Sequence, residues 1–139
     1  MHKILSLALS ICMSSVQAGE LSVDSRCFSD AKGKINLEFR AYSDADIGPV
    51  GGQVRYRQSR KFIPLVYKQT TTLMEVEDRP WEFQDTWLEV LNGAITGQYD
   101  MITQGALIYS FSYTSKRTGK TIHLSKQTYP DESGKCTWQ

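Results

Sequence analysis

Apolar and polar side chains alternate with a period of two along residues 34–42, KINLEFRAY. Ile35, Leu37 and Phe39 point to one side of an extended chain, and the polar side chains between them point to the other. This period is that of a half-buried β-strand, and a strand with one wet face belongs to an antiparallel sheet. Alternation resumes after residue 52, so the pattern predicts an all-β chain.

Four strands in the second half of the sequence are expected to pair in order, as a C-terminal β-meander. Asn92-Gly93 is a strong two-residue hairpin signal because both residues tolerate positive φ. Gln104-Gly105 marks the next reversal, and connections this short leave no room for a crossover helix. We therefore expect one all-β domain over 19–139, an antiparallel barrel or sandwich of about seven to eight strands.

The strand after Gln104-Gly105 carries an aromatic face. Tyr109, Phe111 and Tyr113 alternate with Ser110 and Ser112, so the serines form the wet side and the aromatic face is expected to be core. If that face were exposed instead, it would be a sugar-stacking platform or a partner surface.

Residues 79–91 are ambiguous between a short helix and a strand. Asp78 could cap a helix, Pro80 suits its first turn, and large apolar side chains recur every four residues from Phe83. The alternative, which we favour, is a loop to about Asp85 followed by a strand. The all-β prediction holds with either.

Residues 1–18 have the composition of a secretory signal peptide. Lys3 precedes an apolar run too short for a permanent membrane anchor, and Val16 and Ala18 suit cleavage near Ala18. We therefore expect a periplasmic or secreted protein without stable membrane insertion. Loss of Lys3 leaves equal numbers of basic and acidic side chains, which argues against a nucleic-acid or anionic-membrane binder.

Two cysteines lie beyond the expected signal, Cys27 and Cys136. An even pair in an exported chain predicts a disulfide, which would join the first strand to the last few residues. The alternative, a redox or metal pair, lacks any further His or Cys at ligand spacing. We expect no metal and no cofactor.

Side chains suited to catalysis are scarce. One histidine follows the expected signal, His123, and its alternation with Ile122 and Leu124 places it on the wet face of a strand. No serine stands in a nucleophile-elbow pattern, and Gly51-Gly52 lacks the lysine and the helix of a phosphate-binding loop. We do not expect an enzyme; the alternative is a hydrolase that uses His123 with a carboxylate.

Charge is unevenly distributed along the sequence. Residues 51–68 contain five cations and no acid, and residues 75–89 contain six acids and one arginine. These runs are either solvated faces that attract each other or a polarised surface for a charged partner. The acidic run also contains Trp81, Phe83 and Trp87, and aromatic anchors within a charged rim are typical of binding hot spots. Our partner-binding candidates are Glu77, Asp78, Trp81, Glu82 and Asp85.

The expected plan is similar to that of secreted and periplasmic inhibitors of c-type lysozyme: a signal peptide, a small β-barrel and terminal cysteines. QGALIY, residues 104–109, resembles the serine-glycine-alanine-x-tyrosine loop that these inhibitors insert into the lysozyme cleft. Gln104 stands in place of the serine, and Tyr109 lies one residue further from Ala106. Periplasmic immunity proteins, which neutralise wall-degrading toxins, share the general plan.

This resemblance implies an exported binding protein that inhibits a cell-wall-degrading hydrolase. The acidic, aromatic segment would fill the cleft of a cationic enzyme or toxin. The open alternative is a periplasmic carrier of small ligands, with a cavity inside its barrel.

Overall fold

The computed structural model describes residues 19–138, which form one sheet of nine antiparallel strands. No helix occurs among these residues, so the all-β prediction is confirmed. The expected signal peptide, residues 1–18, lies outside the described part of the chain. The strands are β1 (Leu21–Ser29), β2 (Asn36–Asp44), β3 (Gly48–Tyr56), β4 (Ile63–Met74), β5 (Glu82–Leu91), β6 (Ala94–Gln104), β7 (Leu107–Ser115), β8 (Thr121–His123) and β9 (Lys126–Thr128).

Strands β1 to β8 each pair with their neighbours in sequence, and β9 returns to pair with β1. The order across the sheet is β8-β7-β6-β5-β4-β3-β2-β1-β9, which confirms the C-terminal meander. Only Leu124 and Ser125 separate the two edge strands, so the sheet curls and brings its edges near each other. The structure has nine strands rather than the expected seven to eight because the final segment bends at these two residues and forms two short strands.

Aromatic side chains fill the concave face of the curled sheet. The ring centroid of Phe111 on β7 lies 4.0 Å from that of Phe28 on β1 and 5.3 Å from that of Phe39 on β2. It also lies 5.7 Å from the ring centroid of Tyr99 on β6. Phe28 and Phe111 are far apart in the strand order, so their contact requires the curl. Leu37 and Phe39 are buried as the alternation predicts. Asn36 and Glu38, expected on the solvent-exposed face, are also buried, and Glu38 forms ion pairs with Arg40 and Arg55.

The short helix considered for residues 79–91 does not form; the segment is a loop followed by β5. Strand β5 pairs with β4 on one side and β6 on the other, and these two ladders fix its backbone as extended. Its inner face carries Trp87, which is buried, whereas Leu91 is exposed at the strand's end. Asp78 caps no helix, and its φ of 58° lies within the loop before β5.

A β-bulge in β7 exposes Tyr109. The pairing of β6 with β7 shifts register between Ile102 and Thr103, which leaves Tyr109 as the extra residue. Ile108 packs against the core, and Tyr109 is 58% exposed. The expectation of a buried aromatic face is therefore confirmed for Phe111 and wrong for Tyr109.

The disulfide between Cys27 and Cys136 forms, with the two Cα atoms 5.6 Å apart. It ties β1 to the C-terminal segment, as predicted, and it is consistent with an oxidising, exported location.

Alternate connections collect at opposite ends of the sheet because successive strands run antiparallel. The connections after β1, β3, β5 and β7 lie at one end, which we call the basic end. It carries one acid, Asp30, and eight exposed cations: Lys32, Lys34, Arg57, Arg60, Lys61, Lys116, Arg117 and Lys120. The connections after β2, β4 and β6 lie at the other end, the acidic end, with one cation, Arg79, and four acids: Asp46, Glu75, Glu77 and Asp78.

Candidate functional site

The acidic end brings together four of the five partner-binding candidates. Glu77, Asp78 and Trp81 are exposed in the loop between β4 and β5, and Trp81 is 45% exposed. Glu82 follows as the first residue of β5 and is half-buried. The Phe83 ring lies beside the Trp81 indole, with the two ring centroids 6.4 Å apart. The loop therefore presents an aromatic side chain among carboxylates.

Asp85 and Trp87 are placed differently from this loop. Asp85 lies further along β5, half-buried, and its carboxylate accepts a hydrogen bond from the Thr70 hydroxyl on β4. Trp87 is a core residue that packs edge-on against Tyr67, with ring centroids 5.2 Å apart. Trp87 therefore does not serve as an exposed anchor.

The turn that resembles the lysozyme-inhibitor loop lies against the acidic loop. The Gln104 side-chain amide donates a hydrogen bond to the Pro80 carbonyl at 2.8 Å, and the Tyr109 hydroxyl donates to Gln104 Oε1 at 3.1 Å. Gly105 has a φ of 58°, and a Cβ there would lie 3.3 Å from Pro80. We call the loop 75–82 together with the turn 104–109 the acidic-end surface.

The carboxylates of the acidic-end surface are not neutralised by the basic segment 51–68. Within residues 19–138, ion pairs join Asp24 to Arg26 and join Glu38 to both Arg40 and Arg55. None of them involves an acid of the loop 75–82. This distribution disfavours the interpretation that the two charged segments attract each other, and it leaves the acidic charge available to a partner.

A buried carboxylate at the basic end was not anticipated from the sequence. Glu89 is 3% exposed and accepts three hydrogen bonds, from Thr96 Oγ1 at 2.7 Å, Tyr113 OH at 3.0 Å and Tyr99 OH at 3.1 Å. The Tyr56 hydroxyl lies 2.8 Å from that of Tyr99 and extends the network. No cation of the described chain lies within ion-pair distance of Glu89.

Two local features of β6 build this network. The pairing of β5 with β6 shifts register after Glu89, so Thr96 is a bulge residue whose hydroxyl reaches the carboxylate. Gly97 allows the Tyr113 ring to lie directly on β6, because a Cβ at Gly97 would come within 2.5 Å of the ring. Alternation places Glu89 on the same face as Trp87, which is the one sequence signal of its burial.

Burial raises the pKa of the three tyrosines in this network. It raises the pKa of Tyr113 to about 12, and the adjacent Glu89 carboxylate adds to the shift. It also raises the pKa of Tyr99 well above the ordinary value, and it raises that of Tyr56 although the Tyr99 hydroxyl partly offsets the effect. All three hydroxyls therefore remain protonated donors at neutral pH.

We expect these tyrosines to ionise at a higher pH in the folded protein than in the unfolded chain. A folded pKa above the unfolded value gives stability that is complete below about pH 10 and is lost as the pH rises through about 12. Ultraviolet difference titration should therefore show fewer ionised tyrosines in the native protein than in urea at pH 11, together with falling stability. A Tyr113→Phe variant should lose part of that difference. Identical native and denatured titration curves would contradict the network.

A cavity of about 450 Å³ opens beside Glu89 at the basic end. Its volume lies in the range of small-molecule sites. The wall combines a carboxylate, two cations and apolar groups. Its principal lining residues are Glu89, Leu91, Ile95, Tyr113, Lys116 and Arg117.

The hydrolase alternative would use His123, which lies on β8. His123 is exposed, as alternation predicts, while Leu124 is buried and Ile122 packs against the core. Within residues 19–138, no group of three or more His, Cys, Asp or Glu side chains converges as metal ligands. The same residues include no helix long and apolar enough to cross a membrane.

Comparison of the chain with family models, with curated proteins and with solved structures finds no match.

Proposed function

We propose that the protein is an exported binding protein that inhibits a cell-wall-degrading hydrolase by occluding its cleft. The observation that carries the proposal is the acidic-end surface: an exposed Trp81 among carboxylates, held beside the turn 104–109. The partner is a cationic enzyme or toxin whose substrate cleft accepts this surface. The role is binding rather than catalysis, and the protein works in the periplasm or outside the cell.

Electrostatics and preorganisation both support this role. Unneutralised carboxylates on one end of the molecule accelerate encounter with a basic cleft and disfavour acidic competitors. The bonds from Gln104 to Pro80 and from Tyr109 to Gln104 connect two segments that are distant in sequence. A surface ordered before binding loses less conformational entropy when the partner docks, so more of the contact energy becomes affinity.

The test is binding and inhibition of purified c-type lysozyme and other cationic wall hydrolases by the mature protein. A Trp81→Ala, Asp78→Asn double variant should weaken the complex by about 30-fold or more, the loss expected for a hot-spot residue. Asparagine is chosen at Asp78 because it removes the charge yet tolerates the φ of 58°. Affinity should also fall as salt concentration rises.

A matched control uses exposed residues that are not part of the acidic-end surface. Tyr129→Ala removes an aromatic ring and Glu132→Gln removes a charge, both in the C-terminal part of the chain. The control variant should bind and inhibit like the unmodified protein. If the Trp81 and Asp78 variant retains full affinity for every captured hydrolase, the acidic-end surface is not the docking site.

A further inference from the structure

We propose that the cavity beside Glu89 binds the headgroup of a phospholipid that carries a primary ammonium group, and that the basic end docks on the lipid surface. This site lies at the opposite end of the sheet from the acidic-end surface, so the proposal does not depend on the hydrolase partner. Three features of the cavity match the three chemical parts of such a lipid.

The first feature is an acceptor for the ammonium group. Glu89 lines the cavity, and its carboxylate accepts hydrogen bonds from Thr96 and Tyr113 at Oε1 and from Tyr99 at Oε2. A carboxylate buried with hydroxyl donors but no cation is incompletely compensated for its lost hydration. A ligand ammonium supplies the missing positive charge and a further donor.

The second feature is a pair of cations on the wall of the same cavity. Lys116 and Arg117 line it and are exposed in the connection between β7 and β8. The backbone N–H of Lys116 donates to the Thr96 carbonyl at 2.9 Å, which fixes this connection beside the bulge that holds Glu89. Guanidinium and ammonium groups are the usual protein ligands of phosphate. A ligand with an ammonium next to a phosphate therefore meets complementary charge at both groups.

The third feature is an apolar hairpin tip at the mouth of the cavity. Leu91 and Ile95 line the cavity and are 39% and 44% exposed, on either side of the Asn92-Gly93 turn. The other connections at this end supply the exposed cations named above. Apolar tips surrounded by basic residues are typical of surfaces that sit at the headgroup and acyl-chain boundary. A free water-soluble zwitterion leaves Leu91 and Ile95 without a role, so the tip favours a lipid.

Equal numbers of acidic and basic side chains give no net attraction to an anionic membrane when the charge is averaged over the whole molecule. The tertiary structure distributes that charge unevenly. The connections at the basic end carry an excess of cations, and those at the acidic end carry an excess of acids. A membrane in contact with the basic end alone therefore meets a positively charged surface. The balanced total charge and a basic docking face are therefore compatible.

The experiment is vesicle cosedimentation of the mature protein with two membranes of equal anionic content. One contains phosphatidylethanolamine with phosphatidylglycerol, and the other contains phosphatidylcholine with phosphatidylglycerol. We expect about tenfold tighter binding to the ethanolamine vesicles, because the methylated choline group cannot donate a hydrogen bond to Glu89. Equal binding to the two membranes would overturn the proposed contact with Glu89.

Variants test the contributions of the carboxylate and of the two cations separately. Glu89→Gln should remove the preference for ethanolamine, whereas Asp100→Asn should retain it. Asp100 is a matched control because its carboxylate also accepts three side-chain hydrogen bonds, from Gln84, Thr86 and Gln98, and does not line the cavity. Lys116→Glu with Arg117→Glu should weaken binding to both membranes. These two residues are exposed, so that variant tests the proposal even if Glu89→Gln does not fold.

Free phosphoethanolamine distinguishes a lipid surface from a soluble ligand. Leu91→Ser with Ile95→Ser should reduce vesicle binding by a much larger factor than it reduces binding of free phosphoethanolamine. Binding of the free molecule without any binding to vesicles would overturn the lipid assignment. The Trp81→Ala, Asp78→Asn variant should bind vesicles normally, so the failure of one proposal is distinguishable from failure of the other.

Discussion

Replacing Cys27 and Cys136 by alanine is expected to lower the free energy of unfolding by about 4–5 kcal/mol. The disulfide closes a loop with a sequence separation of 109, and a crosslink over such a loop removes much of the conformational entropy of the unfolded chain. For a domain of this size the loss corresponds to a fall in melting temperature on the order of 15 °C. Urea unfolding, followed by tryptophan fluorescence, measures it.

Reduction provides the control for this prediction. Dithiothreitol should destabilise the unmodified protein by a similar amount and should leave the double variant unchanged. The acidic-end surface is built from the loop 75–82 and the turn 104–109, neither of which includes Cys27 or Cys136, so the proposed hydrolase binding should persist at temperatures where the variant is folded. A loss below about 1 kcal/mol would mean that the ends of the chain are held by packing alone.

Phe111→Ala is expected to cost about 3–5 kcal/mol, the range for deleting a fully buried aromatic ring. Phe111 contacts Phe28, Phe39 and Tyr99, so it joins the first, second, sixth and seventh strands across the curl of the sheet. Its loss leaves a cavity in the centre of the core. Chemical denaturation of the variant at neutral pH measures the change.

Tyr109→Ala is the matched control, two residues away on the same strand. Tyr109 is exposed at the bulge, so its removal should change the free energy of unfolding by no more than about 0.5 kcal/mol. Comparable destabilisation by the two variants would contradict the register of β6 and β7. The Tyr109 variant has a second use, because Tyr109 supports Gln104 and its loss should weaken hydrolase binding.

The separation of charge between the two ends favours one orientation of the molecule at a charged surface. Under the two proposals, the basic end rests on a membrane surface and the acidic end faces outward to a soluble enzyme. Each proposal has its own variants and readout, so either can stand without the other. If both hold, membrane docking would concentrate the inhibitor on the surface where wall-degrading enzymes act.

Local features of the sequence were sufficient for much of the fold. Alternation depends only on neighbouring residues, so it identified the strand character and the inward set of β2, including Leu37 and Phe39. The Asn92-Gly93 hairpin could be predicted because these two residue types tolerate positive φ, and the observed values are 50° and 76°. The disulfide followed from the count of cysteines in a chain expected to be exported.

Features that depend on which strands become neighbours were decided by the tertiary structure. Residues 79–91 satisfied both helix and strand patterns, and pairing of β5 on both sides selected the strand. The bulge at Tyr109 is determined by how β7 pairs with β6, so the sequence of β7 alone does not predict it. Glu89 is one of six acids in its segment, and its burial arises because Thr96, Tyr99 and Tyr113 converge on it. The two charged ends likewise arise only when antiparallel strands gather distant connections together.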